Sequence, residues 1–159
     1  ASGANEVVQV ANDNCSGQVV ISGAKAAVER AMAGAKAAGA KRAMPLAVSI
    51  AAHSPLMASI QDEWNQAVDA VAMTAPKIPV IGNVHAAVLK TAEEARADIK
   101  AQMQSRVRWT DSVKAMSTMG ITSFVEVGTG SVLGGLVKRI ASEAVSYPLG
   151  TPQDFKALE

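Results

Sequence analysis

A chain of 159 residues, 49% of them hydrophobic and 18% charged, falls in the globular class and has room for one ordinary domain rather than two. A formal net charge of +1, with neither basic runs nor interleaved aromatics, argues against a nucleic-acid partner. The single cysteine, Cys15, excludes an internal disulfide and any multi-cysteine metal site, and no apolar run reaches the ~18–20 residues that a membrane span needs.

Aromatic residues amount to only 3%, so the apolar content is mostly Ala, Val, Ile, Leu and Met. Large rings normally supply much of a core's buried area, so a core built from this composition is thin and suits a piece of a larger fold. The N-terminus lacks the charged-then-apolar layout of a signal peptide, and a lone cysteine fits a reducing cytoplasm. Strand character begins almost at once, at Glu6, with no initiator Met and no lead-in, which is the expected mark of a cut chain.

In chain order, Glu6–Ala11 and Gln18–Ile21 are β-rich runs separated by Asn, Asp, Ser and Gly, the residues of a tight β–β connection. Ala24–Ala38 is dominated by strong helix formers, with Gly39 as its C-cap. Arg42–Ile50 returns as an extended apolar run, so the first 50 residues read β-β-α-β. Pro55–Ala72 then carries Leu56, Ile60, Trp64, Ala67, Val68 and Val71 at helical spacing. Lys77–Val84 reads as a short strand, and Thr91–Gln104 and Thr110–Met119 as helices, the first opened by a Thr91/Glu94 capping box. Ser123–Val127 is a buried-type strand, Gly128–Gly130 a tight loop, Ser131–Ala144 a helix, and Ser146–Glu159 an irregular tail. Alternating strands and helices make the class α/β.

Few side chains suggest chemistry. His53 follows an apolar strand and precedes Ser54-Pro55, a turn into the next helix. An imidazole at such a junction can face a cleft and transfer protons near neutral pH, or it can be an ordinary loop histidine. His85, in an Asn83-Val84-His85 loop, has no supporting constellation and reads as surface. Gly128-Thr129-Gly130 has the geography of a phosphate loop, strand before and helix after. The dinucleotide fingerprint, however, needs a third glycine where Leu133 stands, which favours a β–α turn that lets strand and helix pack closely. Nothing local stabilises a Cys15 thiolate. Asn12, Asn14 and Gln18 suit turn chemistry or the lining of a polar cleft. No serine lies in the G-x-S-x-G elbow of a serine hydrolase.

The order of four segments carries a resemblance. Asn12–Gly23 follows N-x-N-x-x-G-Q-x-V-I-x-G; Leu46–Met57 follows L-x-V-S-x-x-x-H-x-x-L-M; Val107–Val113 follows V-x-W-x-x-S-V; and Glu126–Leu136 follows E-V-G-x-G-x-V-L-x-G-L. Together they cover nearly the whole chain, which resembles the C-terminal half of malonyl-CoA:acyl carrier protein transacylases. Arg106 stands where that family often has proline, and Cys15-Ser16 replace a common Ser-Pro pair.

The resemblance implies an α/β-hydrolase-like large subdomain with an inserted ferredoxin-like small one. Residues 1–50 would be the later part of the small subdomain and residues 51–159 the C-terminal part of the large one. It implies that His53 is the general base toward a serine carried by the missing N-terminal half, that the Gln102 backbone carbonyl orients the imidazole, and that Asn14 lines the cleft. The implied reaction moves a malonyl group from malonyl-CoA to the phosphopantetheine thiol of acyl carrier protein, in fatty acid biosynthesis, by a ping-pong route without a cofactor or metal. Lys25, Lys36, Lys41 and Arg42 would help dock the acidic carrier, although a solvated helix face explains the lysines equally. An acyltransferase of polyketide synthesis and a non-catalytic acyltransferase-like binding module are the alternative readings.

Overall fold

The computed structural model describes residues 6–157; residues 1–5 of the expected small subdomain and 158–159 of the expected tail lie outside them. Two strands, β1 (Val8–Cys15) and β2 (Gln18–Gly23), form an antiparallel hairpin closed by Ser16-Gly17. Gly17 has φ 75°, left-handed backbone that glycine adopts without the steric cost of a β-carbon. The register slips between Val10 and Asn12 and again between Asp13 and Cys15. Through an isolated parallel bridge β1 also pairs Asn12 with Val107: the Val107 N–H donates to the Ala11 carbonyl at 2.7 Å and the Asp13 N–H to the Val107 carbonyl at 2.9 Å. That bridge ties the N-terminal hairpin to a segment nearly 100 residues away.

Helix α1 (Lys25–Ala37) packs on the hairpin through buried Ala27. The expected fourth element of β-β-α-β does not form: residues 41–52 have no strand conformation. Their side chains have the right alternation for a half-buried strand, but a strand exists only by pairing, and no partner lies alongside among the described residues. Leu46, Val48 and Ile50 are consequently 57%, 63% and 57% exposed.

Beyond His53, a 3-10 turn at Pro55–Ile60 leads into α2 (Gln61–Asp69), so the expected single helix is two pieces and ends earlier. Strands β3 (Val80–Gly82) and β4 (Ala87–Leu89) make a small hairpin whose turn contains Asn83 and the exposed His85. Helix α3 (Ala92–Ala101) begins with the expected capping box: the Glu94 N–H donates to Thr91 Oγ1 and the Thr91 N–H to the Glu94 carboxylate. It lies against α2, where the Trp64 ring N–H donates to the Ile99 carbonyl and Lys100 pairs with Asp69 at 2.6 Å.

Helix α4 (Trp109–Thr118) sends Val113, fully buried, between β1 and the last helix. The chain closes with a β-α-β unit: β5 (Ser123–Val127), α5 (Val132–Ile140) and β6 (Val145–Leu149), with β5 and β6 parallel and Glu126 opposite Pro148. The tail expected to be irregular therefore contributes a strand. Pro148 disguises it, although proline is tolerated on an edge strand, where its missing N–H leaves no ladder bond unmade. A further 3-10 turn spans Pro152–Ala157.

The α/β expectation holds in this mixture of parallel and antiparallel pairs with five helices among the described residues. The core is small, as composition foretold: Ala11, Cys15, Ala27, Val68, Val113, Leu136 and Val137 are its buried apolar residues. Cys15 is sealed inside it at 1% exposure, so its thiol is a packing group. No helix among the described residues is long and apolar enough to cross a membrane.

Candidate functional site

Two neighbouring residues fix the turn that carries His53. Ser54 is fully buried; its Oγ donates to the Ala51 carbonyl at 2.7 Å and accepts the Leu56 N–H at 3.3 Å, capping the 3-10 turn that Pro55 opens. His53 itself has φ 59°, left-handed backbone in a residue with a β-carbon. Such a conformation costs on the order of 1–3 kcal/mol and persists where surrounding contacts impose it. Here the contacts are explicit: the His53 N–H donates to the Met103 carbonyl at 2.9 Å, and its carbonyl accepts from Gln9 Nε2 on β1.

The imidazole is half-buried against the chain leaving α3. Its Nδ1 lies 3.1 Å from the Gln102 carbonyl oxygen and 3.0 Å from that of Ser105. Carbonyl oxygens only accept, so Nδ1 must carry the proton, shared between the two. This leaves Nε2 with its lone pair free to take a proton. The Gln102 carbonyl is available because it caps α3, where the carbonyls lack intrahelical donors, and the negative end of the helix dipole favours a developing positive charge on the ring; the Ser105 carbonyl comes from the irregular segment beyond the helix. A Ser-His-Asp triad fixes its histidine with a carboxylate; here backbone oxygens occupy the corresponding place.

The carbonyl-bearing segment is braced from several directions. Gln9 Nε2 donates to the Gln104 carbonyl at 3.2 Å as well as to His53. Gln104 Nε2 donates to Gln61 Oε1 at 2.8 Å, and Gln61 Nε2 returns to the Lys100 carbonyl at 2.9 Å. Asn83 donates to Gln102 Oε1 and to the Arg106 carbonyl, both at 2.9 Å. Sequence reasoning passed over Gln9, Gln61, Asn83 and Ser105, because polar amides and serines at irregular positions carry no period or motif.

The structure thus brings Gln102 to His53 but leaves the third expected site residue apart. Asn14 lies half-buried on β1, beside Cys15, and makes none of the hydrogen bonds of the imidazole cluster. His85 is exposed in the β3–β4 turn.

The glycine loop is a β–α turn with its anion position already filled. The N–H groups of Leu133 and Gly134, at the start of α5, donate to the Glu126 carboxylate at 3.1 and 2.8 Å. A phosphate would have to displace that carboxylate and overcome its charge. Backbone conformation, not the expected close packing, explains the loop glycines: Gly128 and Gly130 have φ 135° and 94°, whereas a β-carbon on either would meet nothing within 4 Å. Close approach acts outside the loop, where a β-carbon on Gly134 would meet Ser146 Oγ at 2.6 Å and one on Gly150 the Gly128 carbonyl oxygen at 2.6 Å. No cluster of three or more metal-ligating side chains occurs among the described residues.

The chain is similar to the malonyl CoA-acyl carrier protein transacylase of Haemophilus influenzae, with 42% identity over 154 residues, covering 97% of this chain and 49% of that protein. Among solved structures it resembles an acyl carrier protein S-malonyltransferase from Vibrio cholerae, at a TM-score of 0.94 and 40% identity, over 97% of this chain and 50% of the other. It also resembles a malonyl-transacylase solved in complex with its type II PKS acyl-carrier protein, at a TM-score of 0.92 and 39% identity, over 96% of this chain and 50% of the other. The chain spans about half the length of the curated relatives it matches. The acyl transferase domain family matches residues 2–148, nearly the entire chain, and this chain belongs to that family.

Proposed function

We propose that this chain is the C-terminal portion of a malonyl-CoA:acyl carrier protein S-malonyltransferase, and that it supplies the general base His53 to a serine on the other portion. The supporting observation is the imidazole held by two backbone carbonyls, which fixes its proton on Nδ1 and leaves Nε2 as an acceptor.

In this reading the serine hydroxyl gives its proton to Nε2 as its oxygen attacks the malonyl thioester carbonyl. The C–S bond breaks, and the CoA sulfur leaves with the proton returned by the imidazole. The phosphopantetheine thiol of acyl carrier protein then gives its proton to Nε2, attacks the malonyl-serine ester, and the serine oxygen recovers that proton. Gln102 and Ser105 carbonyls stabilise the imidazolium at each stage. Asn14 would line the cleft between a small subdomain containing residues 1–50 and a large one containing residues 51–159. Lys25, Lys36, Lys41 and Arg42, all exposed, would face the acidic carrier. The enzyme would work in the cytoplasm without a cofactor.

Exposed apolar side chains support a missing portion. Leu46, Val48 and Ile50, in the segment leading to His53, are exposed and have no strand partner among the described residues, and Val125 and Val127 of β5 are 45% and 79% exposed. Parallel strands are ordinarily buried on both faces, and the two-stranded β5–β6 pair falls short of that. The half of the relatives' length that this chain does not span is the natural cover for both.

The test is reconstitution. Purified alone, the chain should transfer no malonyl group from malonyl-CoA to acyl carrier protein; combined with an N-terminal portion carrying a G-x-S-x-G elbow, it should. Transfer by the chain alone, or none by the correctly assembled pair, overturns the reading. A polyketide role is the second reading, favoured by the likeness to the transacylase that partners a type II PKS carrier. Preference of the assembled enzyme for a polyketide carrier over a fatty acid carrier would select it.

A further inference from the structure

We infer that Asn83 is a positioning residue for His53: its side-chain amide locks the segment 102–108 whose carbonyls determine where the imidazole carries its proton. The inference rests on His53 acting as the general base.

The Asn83 side chain makes three hydrogen bonds, all to one short stretch of chain. Nδ2 donates to Gln102 Oε1 and to the Arg106 carbonyl, each at 2.9 Å, while Oδ1 accepts the Arg108 N–H at 2.7 Å. Those three positions bracket the carbonyls of Gln102, Met103 and Ser105 that receive the ring and backbone N–H groups of His53. The segment must leave α3, turn its carbonyls toward His53, and then reach Val107 to pair with β1, with no regular secondary structure to hold it. Asn83 supplies the missing bonds.

Asn83 is itself anchored. Its N–H donates to Asp98 Oδ2 at 3.1 Å, and the N–H of Val84 donates to Asp98 Oδ1 at 2.8 Å, fastening the β3–β4 turn to α3. The fit leaves no slack: a β-carbon on the preceding Gly82 would stand 2.6 Å from Leu89 Cδ2 and 2.7 Å from Asp98 Oδ1. Two donors and one acceptor, aimed at two oxygens and an N–H, match an amide and nothing else of that length. Aspartate would lose both donations and place charge against two acceptors. Glutamine is longer by a methylene.

None of the Asn83 hydrogen bonds goes to the imidazole itself, so its loss should act through proton placement. The experiment uses this chain labelled with 15N-histidine, alone and assembled with an unlabelled N-terminal portion. Exposed His85 provides the unconstrained reference. In the unaltered chain the neutral ring of His53 should show Nδ1 as the protonated nitrogen. Asn83→Ala should shift the ring nitrogens toward a tautomer mixture and lower kcat roughly 10–100-fold, the scale of losing an outer partner of a functional histidine, with KM for malonyl-CoA within about twofold. Gln102→Met, which keeps the carbonyl and removes only the Asn83 contact, should move both in the same direction by less. It also decides the matter if Asn83→Ala does not fold. Unchanged ring nitrogens and kcat in the folded variants overturn the inference. A tautomer shift in the variants, with no malonyl transfer by any assembled form, would uphold the positioning role and sink the transferase reading instead.

Discussion

Two stretches of chain converge on His53 and are built in opposite ways. Residues 102–108 form a polar cradle: the carbonyls of Gln102, Met103 and Ser105 receive His53, and Gln9, Gln61 and Asn83 hold the stretch in place. Residues 44–50, on the other approach, are apolar and exposed, with one internal backbone bond, Val48 to Leu46 at 2.9 Å. Directional bonds organise the first within this chain. Packing must organise the second, and packing requires a covering surface. The donor side of the imidazole, Nδ1, is therefore held within this chain, while the proposed function requires a partner to cover the other approach.

The largest expected effect breaks the cradle's purpose while leaving its bonds. His53→Ala in the assembled enzyme should reduce kcat by about 10²–10⁴, the usual worth of positioned acid–base catalysis. His53→Asn is the matched control, because asparagine tolerates the left-handed backbone that alanine resists. Equal losses in the two variants would assign the defect to the imidazole; near-normal transfer by either would remove His53 from the chemistry.

The second prediction attacks the other approach. Leu46→Asp and Val48→Asp should leave unfolding of the isolated chain nearly unchanged, since both side chains are exposed. Assembly with the N-terminal portion should weaken by roughly 10–100-fold for each, corresponding to about 1.5–3 kcal/mol for burying such a side chain. Titration calorimetry or sedimentation reads the difference directly. Unaltered association would show that this segment is not the covered face.

The contrast also explains what sequence could reveal. The Thr91/Glu94 capping box and α1 were legible because each is fixed by residues within a few positions. Segment 42–50 misled for the opposite reason: its alternation describes a strand, but pairing is a property of the neighbour. β5 lies where its residues predicted a strand, but its pairing partner β6 is more than twenty residues on and its Val125 and Val127 are exposed rather than buried. β6 hid behind Pro148 and Gly150. At the site, a family motif pointed to His53 and the wider resemblance to Gln102, whereas Ser105, Gln9 and Asn83 were invisible, since their meaning comes from how the chain leaves α3. A buried amide and a solvated amide look alike in one dimension.

Below these effects lies the hinge between the two approaches. Ser54→Ala removes a buried hydroxyl that serves the Ala51 carbonyl and the Leu56 N–H. A lost cap of this kind costs ~1 kcal/mol, up to about 2, and should appear in denaturant unfolding of the chain. Because Ser54 adjoins His53, kcat of the assembled enzyme should fall too. A stability loss without any loss of kcat would show that the cradle alone fixes the imidazole.

The smallest effect separates the cradle from the C-terminal turn by pH. The Asp154 carboxylate is held below the usual carboxylate range, first by the Thr151 N–H, then by the Thr151 hydroxyl and the Gly150 N–H. A depressed folded pKa stabilises the ionised form, so its contribution is complete above the unfolded carboxylate's pKa of about 4 and disappears as pH falls through the lower folded value. Amide exchange at Gly150 and Thr151 should accelerate across that acidic window, and Asp154→Asn should flatten the response. The His53 N–H, bonded to a carbonyl that does not titrate there, should keep its protection through the same range. If its exchange rose together with that of Thr151, the two regions would share one opening event, and the cradle would owe its order to the whole chain rather than to its own bonds.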